Sequence, residues 1–214
     1  DASIDRVHIV ICIDRAGFSG EDGETHQGIF DVPMLLTVPG ITVFSPSTYK
    51  ELELCMETAF YRTDGVAAVR YPKGGETLTF GAEDTVSYAY TLTKNGNRRL
   101  AVGYGRIIHN LYAAAENCDV LKLVKLYPVE EEILRICKNY DEIFFFEEGS
   151  RRGGIGEYLL TELYGKGYRG KYFITAPDGF IGQASMEECL DEYGLSAEKM
   201  KAIFNNCSED SIET

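Results

Sequence analysis

The sequence predicts an α/β protein made of two units that meet near residue 78. Three observations carry that prediction. Short apolar runs alternate with segments of helical periodicity up to Tyr71. A stretch rich in glycine and charge, Pro72 to Asp84, interrupts them. The alternation then restarts. Strand–helix alternation of this kind folds as parallel βαβ packing.

In the first unit, the apolar run Val7–Ile13 reads as a buried strand, and so does Ile41–Phe44. Between Ser47 and Arg62, the residues Leu52, Cys55, Met56, Ala59 and Phe60 recur at helical spacing. Ser47 or Thr48 offers a cap, with Glu51 three residues beyond Thr48. Thr63-Asp64-Gly65 stops the helix, and Ala67–Tyr71 is the next strand.

In the second unit, Val86, Tyr88, Tyr90 and Leu92 alternate at period two. Asn95-Gly96 then predicts a hairpin turn into Leu100–Tyr104. A helix over Arg106–Glu116, a strand over Val120–Leu126 and a helix over Glu130–Asn139 follow. Next come a strand over Ile143–Phe146 and a helix over Ile155–Tyr164, with Ile155, Leu159 and Leu163 on one stripe. Lys171–Thr175 is a strand. Ser185 with Glu188 forms a capping box for a late helix that Gly194 ends. Residues 208–214 have little to bury and are expected to fray.

The formal charge of -13 argues against a nucleic-acid partner, since no basic stretch offsets it. An acidic protein that binds anions must supply positive charge locally, which directs attention to Arg15, Arg70 and Lys73. The six cysteines form no C-x-x-C pair and read as reduced core residues rather than a disulfide or zinc framework. No apolar run has the length of a membrane span, and no leader pattern is visible, so a cytoplasmic location is the expectation. A strand begins within a few residues of Asp1, which suggests a piece of a longer protein, cut inside a domain.

Asp14 to Asp31 is the most informative segment. It follows directly on an apolar strand, where open α/β sheets place ligands. Its glycines free the backbone for sharp turns and close approach. Among them stand an anion binder (Arg15), a carboxylate (Asp22) and an imidazole (His26).

The wording Asp14-Arg15-Ala16-Gly17, then Gly20-x-Asp22-Gly23-x-Thr25-His26-Gln27-Gly28-x-Phe30-Asp31, resembles the substrate loop of the 1-deoxy-D-xylulose-5-phosphate synthase family. These are thiamine-diphosphate enzymes of the transketolase superfamily. Ser45-Pro46-Ser47 and Val69-Arg70-Tyr71-Pro72 add to the likeness. Glu147-Glu148-Gly149 and Gly153-Gly154-x-Gly156 carry it more weakly toward the tail.

The resemblance implies a fold of two parts: the latter part of a pyrimidine-binding domain (residues 1–77) and a transketolase C-terminal domain (residues 78–207) with a mostly parallel sheet. It implies a reaction that joins pyruvate to D-glyceraldehyde 3-phosphate with loss of carbon dioxide. Thiamine diphosphate and Mg2+ would be held upstream of Asp1, in a homodimer, so this chain alone is expected to bind no cofactor or metal and to be inactive. Arg15 matches the arginine that binds substrate phosphate. Lys73 stands where the family usually has a second phosphate-binding arginine; it keeps the charge and loses the bidentate geometry, and Arg70 is a possible substitute. His26, inside the most specific motif, is the best candidate for proton handling or hydrogen bonding at the reacting oxygen, because imidazole can donate or accept near neutral pH, and Asp22 matches the family aspartate near the substrate hydroxyl. His8 and His109 read as structural. Gly153-Gly154-Ile155-Gly156 lacks G-x-G-x-x-G spacing and reads as tight packing, not a nucleotide loop. Two rival readings are the C-terminal subunit of another transketolase-superfamily enzyme and a non-catalytic partner module.

Overall fold

Two largely parallel sheets organise the chain, and one strand passes between them. The computed structural model describes residues 1–76 and 86–209. The first unit contains β1 (Ile9–Ile13), α1 (Asp31–Leu36), β2 (Thr42–Phe44), α2 (Tyr49–Tyr61) and β3 (Val66–Arg70). The second contains β4 (Tyr90–Thr93), β5 (Arg99–Tyr104), α3 (Ile108–Ala114), β6 (Asp119–Leu123) and β7 (Lys125–Tyr127). It continues through α4 (Glu131–Cys137), β8 (Glu142–Phe146), α5 (Ile155–Gly165), β9 (Lys171–Thr175), α6 (Met186–Glu192) and α7 (Ala197–Glu209). The sheet orders are β1-β3-β2-β7 and β4-β6-β5-β8-β9.

Most elements arise as the periodicity predicts. Thr48 caps α2 by accepting from the Glu51 amide, while the Glu51 carboxylate turns back to the amide and hydroxyl of Ser47. Leu52, Cys55, Met56 and Ala59 press this helix onto Phe44, Ala67 and Val69; Phe60, expected on the same stripe, is exposed. Ile155, Leu159 and Leu163 are fully buried along α5. Ser185 and Glu188 form the expected capping box at α6, and Gly194 follows in the left-handed region.

Four expectations are corrected. First, β1 is not buried. It is an edge strand that pairs, among the described residues, with β3 alone, so Val7, Ile9 and Ile11 are exposed, as is Cys12. Second, β4 and β5 form no hairpin, because β6 lies between them. The Asp119 carboxylate accepts from the amides of Asn95 (2.9 Å) and Asn97 (3.0 Å), so the Asn-Gly turn wraps a side chain of a third strand. Third, the single strand expected over Val120–Leu126 breaks at Val124. β6 stays in the second sheet, and β7 crosses to pair antiparallel with β2 of the first. The Ser45 amide donates to the Val124 carbonyl at 2.7 Å and helps fix that crossing. Fourth, α7 continues through Glu209, past the start of the expected frayed tail. Residues 210–214 and the boundary expected at 77/78 lie outside the described residues. α1 and α7 had no counterpart in the sequence reading.

Because β7 joins the two sheets, the core does not divide with the units. Val43, Val66 and Ala68 of the first pack with Leu100, Val102 and Leu121 of the second. A buried ion pair adds to this seam: Lys122 Nζ lies 2.5 Å from Glu51 Oε1, with both side chains almost fully buried. Phe18 and Ile29, which flank the glycine-rich loop, are fully buried among Ala101, Ile107, Phe144 and Phe146 of the second unit. Burying two such side chains stabilises the loop's attachment by about 1.5–3 kcal/mol each.

Candidate substrate-phosphate site

β1 and β3 are parallel neighbours, with Ile13 opposite Arg70. Both chains therefore leave the sheet at the same, carboxyl end, where ligands bind in open α/β sheets. From β1 comes the loop that starts at Asp14; from β3 comes Tyr71-Pro72-Lys73. The ladder extends a little past the strands, with Tyr71 N donating to Ile13 O (2.9 Å) and Ala16 N to Tyr71 O (3.0 Å). Strand register thus brings Arg15 and Lys73 together.

The loop is closed at its neck. Gly17 and Gly28 exchange amide-to-carbonyl hydrogen bonds at 2.9 and 2.8 Å. A side chain at position 28 would overlap the Arg15 carbonyl, so glycine is required there. Inside the neck, the chain makes two 3-10 turns, Gly20–Asp22 and Glu24–His26. Gln27 laces them by accepting from Ser19 N at 2.7 Å, and Ser19 Oγ donates to His26 O at 2.7 Å. Arg15 adopts φ 57°, a left-handed conformation uncommon outside glycine.

Asp22 is the centre of the charged cluster. Its Oδ1 accepts from Lys73 Nζ at 2.5 Å, and its Oδ2 from Arg15 Nε at 3.0 Å. Arg15 Nη1 also reaches Asp14 at 2.7 Å. The Lys73 ammonium, and then the Arg15 guanidinium, hold the Asp22 carboxyl below the usual carboxylate range. Both cations stay partly exposed, at 39% for Arg15 and 47% for Lys73, so a ligand can reach them.

Three of the four candidate residues, Arg15, Asp22 and Lys73, are therefore in direct contact. His26 lies on the same loop and is exposed, with Nδ1 2.8 Å from Thr25 Oγ1. Arg70 is not available to a ligand. It is buried, holds both oxygens of Asp31 at 3.0 Å, donates to Gly28 O and Ser45 Oγ, and lies over the Tyr104 ring. His8 sits 3.2 Å from the carbonyls of Gly65 and Phe60, a structural contact at the entry to β1.

The second unit backs the loop with groups that sequence reasoning did not assign. Glu148 Oε1 accepts from Phe18 N at 3.2 Å; Arg106 donates to Phe18 O and grips both oxygens of Glu148. Ser150 N donates to Ile29 O at 2.7 Å. The only hint in the sequence was the pair Glu147-Glu148 at the end of an apolar strand. Glu147 itself is fully buried. Its carboxylate accepts from Tyr104 Oη (2.8 Å), Ile155 N (3.2 Å) and Gly156 N (3.1 Å), and burial pushes its pKa up to about 7. It fills the space in front of α5, and a side chain at Gly154 would collide with it. The glycines at 154 and 156 thus serve close packing.

A cavity of about 580 Å³ lies beside the cluster, lined by Ser19, Glu21, Lys73, Arg106, His109 and Met186. A larger hollow of about 1230 Å³ sits at the opposite end of the first sheet, near His8, Gly40 and Gly65. The charged cluster and the carboxyl ends of the strands favour the smaller one as the ligand space. Among the described residues, no group of three or more His, Cys, Asp or Glu side chains is placed to hold a metal ion, and no helix is long and apolar enough to cross a membrane.

Two family models match the chain in succession. Residues 1–75 match the family "Transketolase, pyrimidine binding domain", and residues 88–200 match "Transketolase, C-terminal domain". The 1-deoxy-D-xylulose-5-phosphate synthase of Porphyromonas gingivalis is 32% identical over 94% of this chain, which covers 33% of that protein. The synthase of Buchnera aphidicola is 31% identical over 95% of the chain, covering 35% of that protein. The chain thus spans about a third of the length of these curated relatives. Among solved structures, a split-gene transketolase described as an inactive beta4 tetramer superposes with TM-score 0.77 at 22% identity, over 93% of this chain and 66% of that one. Transketolase from Campylobacter jejuni gives TM-score 0.68 at 16% identity, over 92% of this chain and 31% of that one. With both domain families matched in order along its length, the chain belongs to the transketolase family.

Proposed function

We propose that this chain is the C-terminal portion of a 1-deoxy-D-xylulose-5-phosphate synthase and supplies the binding site for D-glyceraldehyde 3-phosphate, which accepts the two-carbon unit from pyruvate. The observation that carries this reading is the Arg15–Asp22–Lys73 cluster at the carboxyl ends of β1 and β3. Thiamine diphosphate with Mg2+ supplies the carbanion chemistry in such an enzyme. The roles proposed for this chain's residues concern the acceptor substrate.

The chain's own residues act on the acceptor. Arg15 and Lys73 bind its phosphate, Arg15 by its planar fork and Lys73 as a point charge. Before substrate arrives, Asp22 neutralises both cations and keeps them oriented. When phosphate takes them over, the Asp22 carboxylate is released to accept from a substrate hydroxyl. Thr25 steadies His26 through Nδ1, which leaves Nε2 to donate to the aldehyde oxygen as it gains negative charge.

The test is formation of 1-deoxy-D-xylulose 5-phosphate from pyruvate and glyceraldehyde 3-phosphate. It is run with this chain alone and with the chain joined to the remaining portion of a synthase. Activity in the joined protein only is the expected result. Activity with a ketose phosphate donor in place of pyruvate would instead make this a split transketolase subunit.

A further inference from the structure

We infer that Arg106 and Glu148, both in the second unit, are positioning residues that set the shape of the substrate loop by holding the two backbone groups of Phe18. This inference rests on the reading of the loop as the acceptor site and adds a role for the C-terminal domain in that site.

The geometry is specific in polarity. The Phe18 N–H needs an acceptor and finds Glu148 Oε1 at 3.2 Å; the Phe18 carbonyl needs a donor and finds Arg106 Nη2. The two side chains also grip each other. Arg106 Nε lies 2.9 and 3.1 Å from the two Glu148 oxygens, and Nη2 lies 2.7 Å from Oε1. Such a two-point pair fixes the plane of the guanidinium, so neither contact to Phe18 can swing away independently. The pair is largely buried, at 14% and 6% side-chain exposure, where solvent competes little.

The position of the clamp gives it leverage on the site. Phe18 is the first residue inside the Gly17–Gly28 neck, and Arg15 stands three residues before it in a left-handed conformation. A side chain at Gly17 would press on Glu148, with Cβ 2.9 Å from the Glu148 Cβ, so loop and clamp are in direct packing contact. On the far side of the neck, the Ser150 amide holds Ile29 O. Both feet of the loop are thus fastened to the segment that follows β8. The loop is held between two anchors: the segment after β8, through Phe18 and Ile29, and the end of β3, through Ala16 N, which donates to Tyr71 O two residues before Lys73.

A simple interdomain ion pair predicts something different. If only stability were at stake, replacing both charges by apolar groups of similar size would be nearly neutral, since no buried charge is left uncompensated. The clamp predicts that this double variant still loosens the loop. The experiment is backbone amide hydrogen exchange on wild-type chain, Arg106→Met, Glu148→Met and the double variant. In parallel, KM for glyceraldehyde 3-phosphate and for pyruvate is measured in the completed enzyme.

In the double variant, the Phe18 amide is expected to exchange at least about tenfold faster, while amides of β5 and β8 keep wild-type protection. KM for the phosphorylated acceptor is expected to rise, and KM for pyruvate to stay near wild type. The inference is overturned if Phe18 exchange is unchanged, or if loop and sheet amides lose protection together. Faster Phe18 exchange without any change in acceptor KM upholds the clamp and instead removes the acceptor role from the loop.

Discussion

Lys73 Nζ lies 2.5 Å from Asp22 Oδ1, so Lys73 is held by the same carboxylate that engages Arg15. On the proposed role of the two cations, Asp22 competes with the ligand, because an incoming phosphate must displace it from both of them. Asp22→Asn removes that competition. Inorganic phosphate should then bind about fivefold more tightly at low salt, with the gain shrinking as salt rises. Titration followed by the backbone amides of the loop reads this directly. Unchanged or weaker phosphate binding would mean that the two cations do not share a phosphate.

His26 is on the loop but outside this charged contact, which separates its role from phosphate binding. In the completed enzyme, His26→Ala should lower kcat/KM for the aldehyde acceptor by roughly a hundredfold, the range for loss of a positioned acid–base group. Affinity for pyruvate should change little. Equal losses for both substrates would make His26 a structural residue.

What was legible in the sequence was what is local. The loop announced itself because its glycines, Arg15, Asp22 and His26 are contiguous, and the buried stripe of α5 because Ile155, Leu159 and Leu163 repeat at helical spacing. Apolarity alone could not say what covers Ile9 and Ile11, so an exposed edge strand read as a buried one. The Asn95-Gly96 turn has the chemistry of a hairpin, and only the remote Asp119 carboxylate redirects it. Arg106 and Glu148 lie 42 residues apart, and their joint contact with Phe18 follows from the packing of two units. Lys73 was legible as a charge, but its contact with Asp22 depends on the register of β1 and β3.

The seam between units can be tested through Lys122 and Glu51. Both side chains are buried, at 2% and 1%, and Glu51 also accepts from Ser47. Lys122→Met leaves the carboxylate buried without its cation and should cost about 3–5 kcal/mol. Adding Glu51→Gln keeps an acceptor for Ser47, removes the stranded charge and should recover much of the loss. Urea unfolding of wild type and the two variants checks this. A double variant as unstable as Lys122→Met would show that packing of the lysine stem, rather than its charge, matters at that seam.

Glu147 makes the fold sensitive to pH near neutrality. Burial raises its pKa from the ordinary 4.5 to about 7, although Tyr104, the amides of Gly156 and Ile155, and Arg70 all favour its charged form. Below the ordinary value the carboxyl is protonated whether folded or not, and the group exacts no penalty. As pH rises from about 4.5 to about 7, the unfolded chain releases the proton first while the folded chain retains it, so stability falls across that window. The penalty reaches about 3 kcal/mol once the folded group has also ionised. Glu147→Gln cannot titrate and should be free of this slope. The groups whose pKa is lowered, such as Asp22 and Asp141, act in the opposite direction at acid pH but are common to both proteins. Urea unfolding of wild type and variant across this range should therefore show the variant gaining on the wild type as pH rises. A stability difference that does not vary with pH would mean that Glu147 keeps an ordinary pKa, its charge fully satisfied by Tyr104 and the α5 amides.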